Sequence, residues 1–583
     1  MTRRAHALAS AALALALLHA PAYAAWLPNG NALSLAANVQ SAPLAAPDGQ
    51  GGAYVVWLDT RAGNTDLYAQ HVTASGALAA GWAADGNPVC VDPSTASSPR
   101  IAADGQGNAY VTWNDPRSGG FDIYLAKLVP GGVAAGWPAN GLVVCNAANQ
   151  QVNPALIADA SGALVTWSDV RGVSEDVYVQ HVLASGAADP AWAVNGKILS
   201  GANHPQAFPA IASDGAGGAI VVWEDGRNGG AFSSQLDIYA GHMKAGGAAD
   251  STWGNDGALV CLQPDFDQTR PIAVAVPGGG AIFVWLDQRN GDGDLYARRI
   301  LGNGTFPAGW PADGNEVARA AGAQLNPVAI PDGSGGILVA WQDGRDLASF
   351  PANTDIYALR LQSDGARAPG WAANGNDLSI QPDRQDVPAI CPDGAGGALV
   401  AWKDGRPGAE IYAQHVLSNG VRAHGWAADG LPVCTAAQEQ VAPTLVSDGA
   451  GGGVCAWEDY RNSLANRDIY ALRILGNGQP PTVGVGTLPP SGLTIAFAGA
   501  NPAHGRARFA VTLPAPAETS AAVYNPAGRR VATLLAGESL PGGTTALAWD
   551  GLGAGGRAAA PGMYVLEVVS GGRRGALRFV YLP

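Results

Sequence analysis

"DGQGGAYVVWLDTRAGNTDLYAQHV" (Asp48 to Val72) and "DGAGGALVAWKDGRPGAEIYAQHV" (Asp393 to Val416) are near-copies of one segment within a chain of 583 residues. Aligning the chain on W-x-D-x-R brings Trp57, Trp113, Trp167, Trp223, Trp285, Trp341, Trp402 and Trp457 into register, at intervals of 54 to 62 residues. Each copy has a proline-led apolar segment ("PAIASDG", Pro209 to Gly215), a Gly-rich turn, an apolar run ("AIVVWED", Ala219 to Asp225) and "DIYAGHM" (Asp237 to Met243). A Trp, a Gly four residues later and a short apolar stretch close it ("WAADGLPVC", Trp426 to Cys434). Four short strand signals separated by turn signals make one antiparallel sheet per repeat.

A sheet of this kind buries both faces only against copies of itself, so the array is either an open solenoid or a closed ring. The ends decide. The eighth copy stops after "DIYALRILGNG" (Asp468 to Gly478), while "WLPNGNALS" (Trp26 to Ser34) matches "WAADGNPVC" (Trp82 to Cys90). An N-terminal strand that completes the last sheet removes both free edges, which only a ring requires. The fold class expected is all-β: an eight-bladed β-propeller of four-stranded blades, its last blade closed by the N-terminal strand, followed by a small Ig-like β-sandwich.

Composition agrees. Gly 80 and Pro 40, with charged residues at 14%, point to many turns and little helix, and 47% hydrophobic residues supply a large core. The repeats place eight Trp in W-x-D-x-R and eight in the fourth strand, leaving Trp549 beyond the array out of 17. Net charge is −14, and the last hundred residues are basic, so the repeat region is more acidic than the whole. Such a body repels phosphate backbones and excludes nucleic acid as an expected partner.

Residues 1–24 read as a secretory signal peptide: Arg3 and Arg4, an apolar run too short to span a bilayer, and Ala22-Tyr23-Ala24 as a cleavage site. The propeller is assigned to 25–478, a Pro/Gly linker to 479–492 and the sandwich to 493–583. The expected location is secreted, extracellular or attached to the cell surface, with no membrane insertion.

The C-terminal segment carries Asn501-Pro502, Val523-Tyr524-Asn525, Gly528-Arg529-Arg530-Val531, Trp549-Asp550-Gly551 and Gly562-Met563-Tyr564 in that order. It resembles the immunoglobulin-like domain of flagellar hook-capping (FlgD-like) proteins and the C-terminal sorting domains of type IX-secreted bacterial proteins. The resemblance implies a surface, adhesion or secretion module. Its terminus, "RRGALRFVYLP", has arginine where sorting signals often have lysine, so a plain exported module is equally compatible. The repeats resemble those of secreted bacterial propeller proteins, a resemblance that implies a fold and no activity.

Residues present in every copy read as scaffold, because a single substrate needs a single set of groups. Asp and Arg of W-x-D-x-R, as in Trp57-Asp59-Arg61 and Trp223-Asp225-Arg227, are expected to form a charge-assisted hydrogen-bond set holding the loop between the second and third strands. His71, His181, His242 and His415 share their position with Lys127, Arg299, Arg360 and Arg473, so the position is cationic and pairs a carboxylate. Cys90, Cys145, Cys261 and Cys434 alternate with Ser34, Ser200, Ala318 and Ser379, and with Cys391 and Cys455 they read as small buried residues without disulfides.

Symmetry breaks in the loops after W-x-D-x-R. Two long ones carry Phe232 and Phe350, and they share a face with the recurring Q-x-x-P, whose glutamines include Gln206, Gln324, Gln385 and Gln440. These six residues are the expected ligand contacts. The expected function is a non-catalytic, exported, monomeric propeller binding a glycan or protein at the cell surface, with no catalytic residues, metal or cofactor. The alternatives are a glycan-active hydrolase or lyase on the same face, or a structural spacer. Against a sialidase-like enzyme stand the missing S-x-D-x-G-x-T-W box, the scarce glutamates (Glu175, Glu224, Glu316, Glu410, Glu439, Glu458) and the eightfold Tyr and Arg.

Overall fold

The computed structural model describes residues 26–228, 235–346, 353–406, 410–463 and 465–478 of the repeat region. In the C-terminal region it describes 494–497, 503–513, 517–526, 529–540, 543–553, 557–570 and 573–582. The chain divides into two compact units, ending at Val483 and starting at Gly484. The signal-peptide and linker assignments fall on residues outside those described.

The first unit contains eight antiparallel sheets. The blade built on Trp223 has the strands Gln206–Ser213, Ala219–Asp225, Asp237–Met243 and Ala258–Cys261, paired in that order. Its second strand is buried along its whole length, which is why it is apolar at consecutive positions instead of alternating. First strands of successive blades pack side by side, and the first strand of the eighth blade (Gln440–Ser447) adjoins that of the first (Gln40–Pro47). The ring is closed and has eight blades.

Closure is the one inferred from the termini. Asn31–Ser34 pairs with Asp468–Ile474, the third strand of the last blade. Trp26, 4% exposed, donates its indole N–H to the Ala74 carbonyl of the first blade at 3.0 Å, and Asn31 Nδ2 donates to Gly76 at 2.8 Å. The N-terminal strand thus joins the last blade to the first.

Within each blade the W-x-D-x-R residues form one unit. Asp59 is fully buried; its Oδ1 accepts from the N–H and Nε of Arg61, and its Oδ2 from Trp57 Nε1 and Arg61 Nη2, at 2.6 to 2.9 Å. The Asp–Arg ion pair occurs in all eight blades, and each Arg stacks over the third-strand Tyr at 3.6 to 4.1 Å. In Trp223-Asp225-Arg227 the guanidinium also reaches the Asp256 carbonyl of its own blade and Ser200 Oγ of the preceding one.

That second reach explains the alternation of Cys and Ser. Arg117, Arg171, Arg289 and Arg461 point Nη2 at the sulfurs of Cys90, Cys145, Cys261 and Cys434, as Arg61 and Arg227 do at Ser34 and Ser200. All six cysteines are buried thiols, and burial pushes Cys90, Cys145 and Cys261 up to about 12. The cationic position behaves in the same positional way. His71 and His415 contact Asp48 and Asp393 of the Gly-rich turn at 2.9 and 3.0 Å, and Arg360 and Arg473 contact Asp332 and Asp448 at 2.8 Å. The other oxygen of Asp48 accepts from the N–H groups of Gln50 and Gly52, closing the turn.

The second unit is a sandwich of a three-stranded sheet (Thr494–Phe497, Ala507–Leu513, Gly543–Trp549) and a five-stranded sheet that includes Ala517–Tyr524 and Gly562–Ser570. Trp549, Phe509 and Phe579 fill its core. Among the described residues no helix is long and apolar enough to cross a membrane.

Two outcomes follow from this frame. Trp26→Ala should lower stability by about 3 to 5 kcal/mol in urea unfolding, the range for emptying a buried Trp site; an unchanged midpoint would detach the N-terminal strand from ring closure. Thiol titration of the denatured, unreduced protein should find six thiols, and a bridged pair would contradict the positional reading of the cysteines.

Candidate active site at the channel mouth

Each first strand starts at the level where the second strand ends, as Gln206 opposite Asp225 shows, and therefore on the face of the loops between second and third strands. Just past that start every first strand carries an irregularity in its pairing. At its centre one residue has a left-handed backbone: Ala42, Ser98, Asn153, Phe208, Arg270, Asn326, Val387 and Ala442, with φ between 49° and 54°. None is glycine, and for Phe208 and the β-branched Val387 this conformation is costly. The bulge turns these side chains toward the axis, so eight equivalent positions form a ring of six different residue types.

Five of them, Asn153, Phe208, Arg270, Asn326 and Val387, line a cavity of about 1030 Å³ together with the prolines that follow, Arg100 and Glu224. Phe208 is 54% exposed and Val387 is exposed too. The walls are apolar, and the polar groups are few and unlike one another, the composition expected where one ligand is oriented.

Glu224 is the middle residue of W-x-D in the fourth blade. Its Oε1 accepts the backbone N–H of Arg270 in the next blade at 2.7 Å, holding the neighbouring bulge. Glu458 does the same for Ala42 at 2.8 Å, but its other oxygen is paired with Arg467 at 2.9 Å. Glu224 has no ion pair among the described residues. At 5% exposure, burial pushes its carboxyl up to about 7, opposed by the Arg270 N–H and guanidinium. A carboxyl poised near neutrality in a cavity is suited to moving protons.

The expected ligand contacts are placed otherwise. Phe232 and Phe350 lie outside the described residues. Gln206, Gln324, Gln385 and Gln440 are fully buried, each donating Nε2 to carbonyls of the loop just before it. They anchor the strand entry, and the channel is lined by residues two to five positions farther on. The chain did carry a signal for those positions: the two residues before the recurring Pro of Q-x-x-P and the middle residue of each W-x-D vary between blades, while that Pro and the flanking Trp and Asp recur in every one.

Residues 499–573 match the model of the FlgD Ig-like domain. No curated protein matches the chain in sequence. Among solved structures, the chain is similar to puromycin hydrolase (14% identity, TM-score 0.38, 84% of this chain and 61% of that one), of which it thus spans less than two thirds. It is also similar to an ulvan lyase of a new polysaccharide lyase family (12%, TM-score 0.40, covering 67% and 96%). A third is the α-L-arabinanase of Penicillium chrysogenum (12%, TM-score 0.33, covering 65% and 93%).

The expectations of a non-catalytic binder and of a chain that is not an enzyme are thereby corrected: these neighbours are enzymes, and enzymes on glycans are prominent among them. What they share with this chain is the fold. The chemistry has to come from the channel's own residues, among which Glu224 stood out in the sequence only as one of the scarce glutamates.

The raised carboxyl has a stability signature. An acid whose folded pKa lies above its unfolded value favours folding only in its neutral form, so its penalty grows as pH rises from about 4.5 through about 7. Glu224→Gln keeps an oxygen for the Arg270 N–H and cannot ionise. The variant should be more stable than the parent at about pH 8 and equally stable at about pH 4.5; equal midpoints at both values in thermal melts would show that Glu224 is not held neutral.

Proposed function

We propose that the protein is an exported glycan-cleaving enzyme whose active site is the mouth of the propeller channel, with Glu224 as its proton-transfer group. The observation that supports this most is the coincidence of Glu224 with the ring of unlike, left-handed residues. Strained backbone tends to persist at functional sites, where the surrounding structure over-determines it. Phe208 offers a flat apolar face for a sugar ring, Asn153 and Asn326 offer amides for hydroxyl groups, and the volume suits a few sugar units. The leader-like N-terminus and the FlgD-type domain support action outside the cell, in association with its surface.

Incubating the full chain with a panel of neutral and acidic polysaccharides should release new reducing ends. Glu224→Gln should slow that release by about two to four orders of magnitude, the usual worth of a positioned proton-transfer group, while its melting temperature at neutral pH does not fall. Cleavage undiminished in the variant would remove Glu224 from the chemistry, and a panel without any new reducing ends would overturn the function.

A further inference from the structure

Hydrolysis of a glycosidic bond ordinarily takes two carboxyl groups flanking that bond, one as acid and one as base or nucleophile. The described residues lining the channel cavity include one acid, Glu224. They also include two guanidinium groups, Arg270 and Arg100, and neither has a carboxylate partner among the described ion pairs. Among the described residues Arg100 donates only to the carbonyl of the adjacent Pro99, at 2.8 Å. By contrast, every W-x-D-x-R arginine is paired. These two unpaired guanidiniums, on the first strands of the second and fifth blades, line one apolar-walled cavity in a chain of net charge −14 and offer it cationic partners for anionic groups, a planar fork suiting a carboxylate.

Resting on the reading of the channel as a glycan-cleaving site, we infer that its substrate is a 4-linked uronate polymer, whose successive carboxylates pair with Arg270, beside Glu224, and with Arg100, and that the bond is broken by β-elimination. Pairing the uronate carboxylate with cations makes the C5 proton acidic. Glu224 as carboxylate takes that proton, the C4–O4 bond breaks, and its electron pair leaves with O4. The electrons of the C5–H bond become the C4=C5 double bond. Glu224 returns the proton to O4, so that no water, oxidant or second acid is consumed. One group can perform both transfers because it is adjacent to the cation: the Arg270 backbone N–H donates to Glu224 Oε1, placing the carboxyl beside the residue that bears the guanidinium. Arg270 and Arg100 bind the substrate, and Glu224 is the catalytic residue.

The test uses the full chain with polygalacturonate and glucuronan, and with the same polymers after reduction of their carboxyl groups to alcohols. Expected are new reducing ends on a uronate polymer in step with the ultraviolet absorbance of an unsaturated uronate, and neither signal on the reduced polymers. Arg270→Ala should lower kcat/KM on the uronate by about two orders of magnitude, with Arg270→Lys recovering part of the loss. Reducing ends without the chromophore, or equal cleavage of the reduced polymers, would overturn the inference and leave the glycan-cleaving function standing. Absence of new reducing ends on these and on neutral glycans would overturn both.

Discussion

A carboxylate stripped of water and given four hydrogen bonds holds each blade in shape. Asp59 and its seven equivalents are fully buried, a placement that would be strongly unfavourable without the guanidinium two residues on and the partners around it. Because the same Arg stacks on the third-strand Tyr and reaches the preceding blade's fourth strand, one residue ties the second-strand corner, the third strand and the neighbouring blade together. The Asp–Arg–Tyr set recurs in all eight blades and the reach to the preceding blade in six of them, and the N-terminal strand supplies the last connection.

A frame fixed so tightly leaves few positions at which one blade can differ from another. The bulge of the first strand is such a position, since its side chain leaves the regular pairing of the sheet, and five of the eight line the cavity. The middle residue of W-x-D is another, because it meets the bulge of the next blade. Glu224 belongs to both circumstances: it supports Arg270, and it lines the cavity. Glu458, in the same motif but paired with Arg467, shows how one neighbouring cation turns an equivalent carboxyl into a structural anchor.

The architecture was readable because a repeat announces itself: eight tryptophans in register, and a terminal strand matching the piece missing from the last copy. The roles of Asp225, Arg227, His415 and the cysteines followed from asking which residues could replace one another. The channel was not readable in that way. A bulge breaks the two-residue period of a strand, so spacing alone does not reveal that Phe208 and Arg270 face the axis. Glu224 occupies a position that differs from blade to blade, but its environment is supplied by a bulge 46 residues later in the sequence. Gln206 and its equivalents were conspicuous for the opposite reason, as regular residues that serve the strand entry, two positions from the side chains that reach the cavity.

The most direct test of the channel mouth as the working site is a crystal structure of the Glu224→Gln variant soaked with a short uronate oligosaccharide. The account predicts the sugar at the channel mouth, its carboxylate on Arg270 or Arg100, a ring face on Phe208 and its scissile linkage beside residue 224. An oligosaccharide bound only on another surface, with the channel mouth bare, would contradict it.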